Sequence, residues 1–234
     1  MFGIHAVRAA LLNDQRRKHR LIVTRNAVNE LEEAIEAAGT PPELSDARRF
    51  EAPLDKQSVH QGAALEVEPL NWGSLDDACP AREGAAALLL DRVTDPHNVG
   101  AILRTAEVFG ASAVVAPARH SAPETGALAK AASGALERMP YLRIRNLSDA
   151  LLSMQQEGWI GLGLDGAAPL TLKAGIAEAS PSPIALVLGA EGPGLRERTR
   201  ATCDALVRID SRSDFASLNV SNAAAVALYA VNDA

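Results

Sequence analysis

Three short stretches of the 234-residue chain concentrate the side chains that could do chemistry. The first, DRVTDPHNVGAILRTAEVFG from Asp91 to Gly110, carries Asn98 and Arg104 on either side of Gly100. Pro96 punctuates a loop there, Asn98 is a plausible helix cap, and Gly100 admits close approach of a backbone or a ligand. Asn98 and Arg104 are six residues apart, about 240° around a helix, so they do not stack on one face. If both serve one site, Asn98 acts from the loop and Arg104 reaches back across the first turns. A capped helix with a solvated arginine accounts for the same residues. The second stretch, GAEGPGL from Gly189 to Leu195, is a Gly-rich turn whose backbone groups can lie against a ligand. It is neither a dinucleotide fingerprint nor a P-loop, and Glu191 within it also suits the N-terminal end of a following helix. The third, SLNVSNAAAVALYAV, crowds Ser217, Asn219, Ser221 and Asn222 at the start of an Ala/Val-rich helix. One of them suffices as a cap; the excess suggests a binding surface.

Elements that could position these stretches are legible around them. After Gly84 the apolar runs AAALLLD, ASAVVAPA, YLRIR, WIGLGLD, PIALVLG and ALVRID alternate with amphipathic helical segments. Continuous apolar strands between helices predict an α/β fold with a parallel sheet covered on both faces. Ligands in such folds bind at the carboxyl ends of strands, where the three polar stretches fall. Upstream, HAVRAALLN, RLIVT, a helix from Asn26 to Ala38 and a strand region from Val59 to Val67 make a small α/β domain over residues 1–68. Residues 69–84, with Pro69, Gly73, Pro80, Asp76, Asp77 and Glu83, read as a linker. The remainder, 85–234, forms the larger domain.

Hydrophobic residues at 47% and charged residues at 22% point to a packed core. Each long apolar stretch is broken well short of the roughly 20 residues that cross a bilayer, and the N-terminus places its apolar part before its basic part, the reverse of a secretory signal. A cytoplasmic protein is expected. Cys79 and Cys203 lack His or Cys neighbours at ligand spacing, so neither a disulfide framework nor a metal site is expected. A net charge of -6 argues against a general nucleic-acid coat. One local basic run, Arg16, Arg17, Lys18, His19 and Arg20, reads either as a solvated helix end or as an RNA contact.

In this order, DPHNVGAILRTA, LVLGAEGPGL and SLNVSNAAAVAL resemble the three motifs of the SpoU family of RNA ribose 2'-O-methyltransferases. Upstream, FGIHAVRAAL and VHQGAAL resemble the N-terminal substrate-binding domain of the branch that acts on guanosine in bacterial 23S rRNA, so the resemblance covers nearly the whole chain. It implies a C-terminal methyltransferase domain of the SPOUT type with a deep trefoil knot, an N-terminal L30e-like RNA-binding domain, and a homodimer. It also implies S-adenosylmethionine as cofactor, bent between the second and third motifs against Gly189, Ile209 and Leu218. The family's catalytic arginine falls on Arg104, with Asn98, Glu191, Ser217 and Asn219 as its polar partners, and no metal is required. The chain departs from its relatives at Asp210, where Pro usually follows Ile, in the charged loop from Ser211 to Phe215, and at Asn222, where an apolar residue is common.

The activity this implies is methyl transfer to the ribose 2'-OH of a guanosine in 23S rRNA, with the Arg16–Arg20 run docking the RNA. A guanidinium is too weakly acidic to serve easily as a base, so Arg104 is expected to orient the hydroxyl and stabilise developing alkoxide charge. Alternatives are a tRNA 2'-O-methyltransferase of the same family and a non-catalytic rRNA-binding assembly factor. A nicotinamide-dependent oxidoreductase is disfavoured by the missing dinucleotide fingerprint.

Overall fold

The computed structural model describes residues 1–55, 58–211 and 218–234. The N-terminal part runs α1 (Ile4–Leu12), β1 (Lys18–Val23), α2 (Arg25–Ala38), β2 (Pro42–Leu44) and β3 (Ala63–Val67). These strands form a three-stranded sheet in the order β2-β1-β3, with β1 parallel to β2 and antiparallel to β3. The Thr24 hydroxyl accepts from the Ala27 amide to start α2, and Gly39, with φ of 59°, ends it in the left-handed conformation. Leu21 and Val23 of β1, Leu31 of α2 and Val7 and Leu11 of α1 close a small core. The strand expected from Val59 begins only at Ala63, and the basic run lies in and just before β1, not at a helix end.

α3 (Leu75–Ala78) follows, started by a capping box between Ser74 and Asp77. Although residues 69–84 read as a linker, Cys79 is buried there, and Trp72, Leu75 and Ala78 pack on the C-terminal core. The chain then runs β4 (Ala86–Asp91), α4 (Pro96–Val108), β5 (Val114–Pro117), α5 (Gly126–Ala132), a 3₁₀ turn (Ala135–Glu137), β6 (Tyr141–Ile144), α6 (Leu147–Gln156) and β7 (Ile160–Leu164). It ends with β8 (Leu170–Thr171), α7 (Leu172–Ala179), β9 (Ile184–Gly189), α8 (Glu197–Thr202), β10 (Ala205–Arg208) and α9 (Val220–Asn232).

Every strand in the seven-stranded sheet pairs in parallel, in the order β6-β5-β4-β9-β7-β10-β8. Alternation along β4 shows both faces covered. Ala86, Leu88 and Leu90 join a core with Ile102 and Leu103 of α4 and Leu128 of α5. Ala87 and Leu89 point the other way, to Leu147, Leu151 and Met154 of α6 and to Trp159. A parallel sheet buried on both faces needs such continuous apolar strands, and the six runs read from the sequence supply them. The sheet's carboxyl edge is thereby left as the face where loops carry polar groups. Ala6 of α1 belongs to the larger C-terminal core while its neighbour Val7 belongs to the smaller one, so α1 packs between the two sheets.

Candidate active site and cofactor cavity

β4 and β9 are neighbours in register, with Asp91 opposite Gly189 at their carboxyl ends. Two of the polar stretches therefore leave the sheet side by side. The Asp91 side chain is fully buried and ties them together: its Oδ2 accepts from the Arg196 amide at 2.9 Å and its Oδ1 from Arg196 Nε at 2.6 Å. These charge-assisted bonds fix the end of the Gly-rich turn against the end of β4.

α4 starts with Asp95 as N-cap, whose Oδ1 accepts from the His97 amide at 2.9 Å, and with Pro96 in the first turn. Asn98 is therefore not the cap expected of it; it lies within the first turn of the helix. From there its Nδ2 donates to Glu191 Oε1 at 3.2 Å, and its Oδ1 accepts from Asn219 Nδ2 at 3.0 Å. Asn219 Nδ2 also donates to Glu191 Oε1, at 2.6 Å. Asn219 Oδ1 caps α9 by accepting from the Ser221 amide at 2.9 Å, while the Val220 amide points at Glu191 Oε1 from 3.4 Å. The carboxylate thus sits against the α9 N-terminus, where negative charge is favourable. One residue from each of the three stretches meets in this triad.

Gly100 serves packing. A Cβ there would lie 2.5 Å from Ala131 Cβ and 2.8 Å from the Ala132 amide nitrogen, so its missing side chain lets α4 settle onto α5. A cavity of about 730 Å³ opens beside the triad, at the carboxyl ends of β9, β7 and β10. Gly189, Glu191, Ile209, Leu218 and Asn219 all line it. At Gly189 an added Cβ would meet not open cavity but the chain's own turn, 2.1 Å from Gly194 C and 2.4 Å from the Leu195 amide nitrogen. That glycine is required for the turn to fold back on β9, and the turn forms the cavity wall.

Arg104 is not brought to the triad. It is exposed on α4, does not line the cavity, and among the described residues has no hydrogen bond or ion pair. Ser217 lies outside the described residues. Asp210 lines the cavity and pairs with Arg208 at 3.3 Å, whereas Asn222 is exposed on α9 away from it. Leu164, Asp165 and Gly166, after β7, also line the cavity. The sequence reading missed them, although WIGLGLD is an apolar run whose carboxyl end fell under the same rule that located the other loops. Burial pushes the Cys79 and Cys203 thiols up to about 12, so neither presents a thiolate at neutral pH. Among the described residues no group of His, Cys, Asp and Glu is arranged to hold a metal ion.

The basic run proves structural at its first member. Arg16 is buried, with Nε and Nη2 donating to Glu137 Oε2 and Oε1 at 2.9 and 2.7 Å and Nη1 donating to the Glu68 carbonyl at 2.6 Å. Arg17 and His19 lie 3.4 and 3.1 Å from Glu68, and Arg20 is held bidentately by Glu43. Burial against Glu137 withdraws Arg16 from any RNA-docking surface, while Arg17, His19 and Arg20 remain exposed beside their carboxylate partners.

Comparison with known proteins agrees with this arrangement. The SpoU rRNA methylase family model matches residues 85–229, and the model for RNA 2'-O ribose methyltransferase substrate binding matches residues 1–73. The chain is 40% identical over 98% of its length to the 23S rRNA (guanosine-2'-O-)-methyltransferase RlmB of Ralstonia nicotianae, covering 93% of that protein. It is 36% identical over 98% of its length to RlmB of Vibrio cholerae, covering 94% of it. The SpoU methyltransferase AviRb from Streptomyces viridochromogenes, solved in complex with AdoMet, matches in fold with a TM-score of 0.83 at 22% identity, over 100% of this chain and 88% of that one. With family models matching both parts of the chain and relatives matching it nearly end to end, the protein belongs to the SpoU family of rRNA methylases.

Proposed function

We propose that this protein transfers a methyl group from S-adenosylmethionine to the ribose 2'-OH of a guanosine in 23S rRNA. The observation that carries the reading is the near full-length identity to 23S rRNA guanosine 2'-O-methyltransferases. It favours large-subunit rRNA over tRNA, and an enzyme over a non-catalytic assembly factor. The cavity fits the cofactor in size and chemistry. Its apolar side, with Leu188, Val207, Ile209 and Leu218, suits an adenine ring and a methylene chain, while the turn from Gly189 to Gly194 offers backbone polar groups.

S-adenosylmethionine, when bound, supplies an electrophilic methyl group on a sulfonium sulfur. The protein must hold the hydroxyl oxygen in line with that methyl and disperse the charge that develops on the oxygen. We assign the second task to Arg104, which among the described residues has no internal partner to compete with substrate. The Asn98–Glu191–Asn219 triad holds the first turn of α4, the Gly-rich turn and the α9 N-terminus at fixed separations. Ser217 is assigned to the same polar set. Gly189, Ile209 and Leu218 are the proposed cofactor contacts.

We further propose that residues 1–68 dock the RNA, that residues 69–84 connect them to the catalytic part at 85–234, and that the first unit is L30e-like. The C-terminal segments are proposed to form the trefoil knot; α9 returns to pack on β4, β9 and α4. A homodimer is proposed on the exposed apolar side chains of Val108, Val226 and Tyr229 at the paired ends of α4 and α9. Among the described residues no helix is long and apolar enough to cross a membrane, and action in the cytoplasm, where rRNA is available, is proposed. The deciding experiment incubates purified protein, tritiated S-adenosylmethionine and bulk rRNA, then maps 2'-O-methylation in rRNA from cells with and without the protein. Loss of one methylated guanosine in 23S rRNA is expected. Label entering only tRNA, or no label at all, overturns the reading.

A further inference from the structure

A second cavity, of about 400 Å³, opens at the carboxyl ends of β4, β5 and β6, on the other half of the sheet edge from the cofactor cavity. Arg92, Arg119, His120, Arg145, Arg196 and Arg198 line it. Arg196 is held by Asp91 at 2.6 Å and Arg198 by Asp149 at 2.6 Å. Arg92, Arg119 and Arg145 have no acidic partner among the described residues. In a chain of net charge -6, three exposed guanidinium groups without a carboxylate partner among the described residues share one cavity, a concentration of positive charge that favours an anion among them. The backbone is also held against its preference here. Arg92 and His120 adopt φ of 62° and 61°, two of the four non-glycine residues with positive φ among the described residues. Such conformations persist where the direction of a side chain matters more than local strain.

We infer that this cavity binds the phosphodiester backbone of the substrate RNA next to the methylated nucleotide. Guanidinium groups recognise phosphate oxygens through paired donors, which suits them to a backbone contact. β5 lies two strand spacings from β9, about 10 Å, so one RNA strand can reach both cavities. Arg16, Arg17 and Arg20 each face a carboxylate of the protein, Glu137, Glu68 and Glu43, whereas Arg92, Arg119 and Arg145 face none among the described residues. The inference rests on the RNA methyltransferase reading and adds to it where the RNA lies.

The test uses the full chain with Arg92→Gly, Arg119→Gln and Arg145→Gln combined. Binding of fluorescently labelled mixed-sequence single-stranded RNA is followed by anisotropy at several salt concentrations, and S-adenosylmethionine binding by calorimetry. RNA affinity should fall at least tenfold, and the slope of log affinity on log salt should flatten by about 0.7 for each lost phosphate contact. Cofactor affinity should be unchanged. Unchanged RNA affinity and slope, or a parallel loss of cofactor affinity, overturns the inference. Arg92→Gly alone guards against misfolding: glycine relieves the positive φ, so melting temperature should rise while RNA binding weakens. Inorganic phosphate titrated into the wild-type protein separates a small-anion site from a backbone site; phosphate binding abolished in the triple variant with RNA affinity intact overturns the backbone assignment. Wild-type methylation of rRNA is measured in parallel, and its absence alongside weakened RNA binding in the variant would fail the enzyme reading while leaving the RNA site standing.

Discussion

Arg104 and Glu191 show two ways of holding a charge at one site. Glu191 is surrounded by donors from Asn98, Asn219 and the α9 N-terminus, whereas Arg104 is exposed, with no internal partner among the described residues. Arg104→Ala should therefore abolish methylation while leaving S-adenosylmethionine affinity within a few-fold by calorimetry; a joint loss of both would show that the arginine belongs to the cofactor cavity. Glu191→Gln keeps an acceptor but loses the charge that the two amides and the helix end share. Turnover should fall ten- to a hundred-fold, about 1.4 to 2.7 kcal/mol, with stability within about 0.5 kcal/mol because the site is open to solvent. Unchanged turnover would reduce the triad to a capping arrangement. Asn98, Glu191 and Asn219 were legible because each sits in an ordered motif. Asp91 was not: its role depends on Arg196, 105 residues later, and a single Asp at the end of an apolar run gives no hint of that pairing.

Among elements, continuous apolar runs announced the six longer strands of the large sheet, since burial on both faces leaves little room for polar residues. β2 and β8, with three and two residues, are too short to carry a period and went unread. The start of α4 was signalled by Asp95-Pro96, a cap followed by proline, but the reading placed the cap at Asn98. That shift moved Asn98 from loop to helix and changed what it could reach. The turn after β9 makes a sharper case. Gly189→Ala would drive a Cβ into Gly194 and Leu195 backbone at 2.1 to 2.4 Å, closer than real contacts allow, so the turn must open. Melting temperature and S-adenosylmethionine affinity should fall together, by tenfold or more in affinity, because the turn is also the cavity wall. Leu218→Met, which roughly conserves volume, should be mild in both. Affinity per folded molecule that survives Gly189→Ala would take the turn out of the binding site.

At the scale of the whole molecule, strand order and the junction between the two sheets were beyond the sequence, because both depend on partners far apart in the chain. Arg16 read as one member of a basic run; its partner Glu137 stands 121 residues away on the turn after α5. With side-chain exposures of 1% and 3%, the pair is sealed at the junction, joined by Asn13 Nδ2 donating to Glu137 Oε2 at 3.0 Å. Arg16→Met should leave Glu137 buried without its counter-ion and cost about 3–5 kcal/mol, the usual penalty for breaking a buried pair. The double variant Arg16→Met, Glu137→Leu removes both charges and should recover most of that loss. The pH dependence follows from Glu124, whose carboxyl is pushed up by burial and pulled back by the Arg16 guanidinium 3.9 Å away. Without Arg16 its folded-state value rises further above the unfolded one, so the stability it contributes is present below the ordinary carboxylate range and lost as pH rises through and beyond it. The gap in melting temperature between wild type and Arg16→Met should thus be narrower near pH 4 than at pH 7. A gap independent of pH, or a double variant no more stable than the single one, would mean that apolar contacts of α1, and not the ion pair, hold the two sheets together.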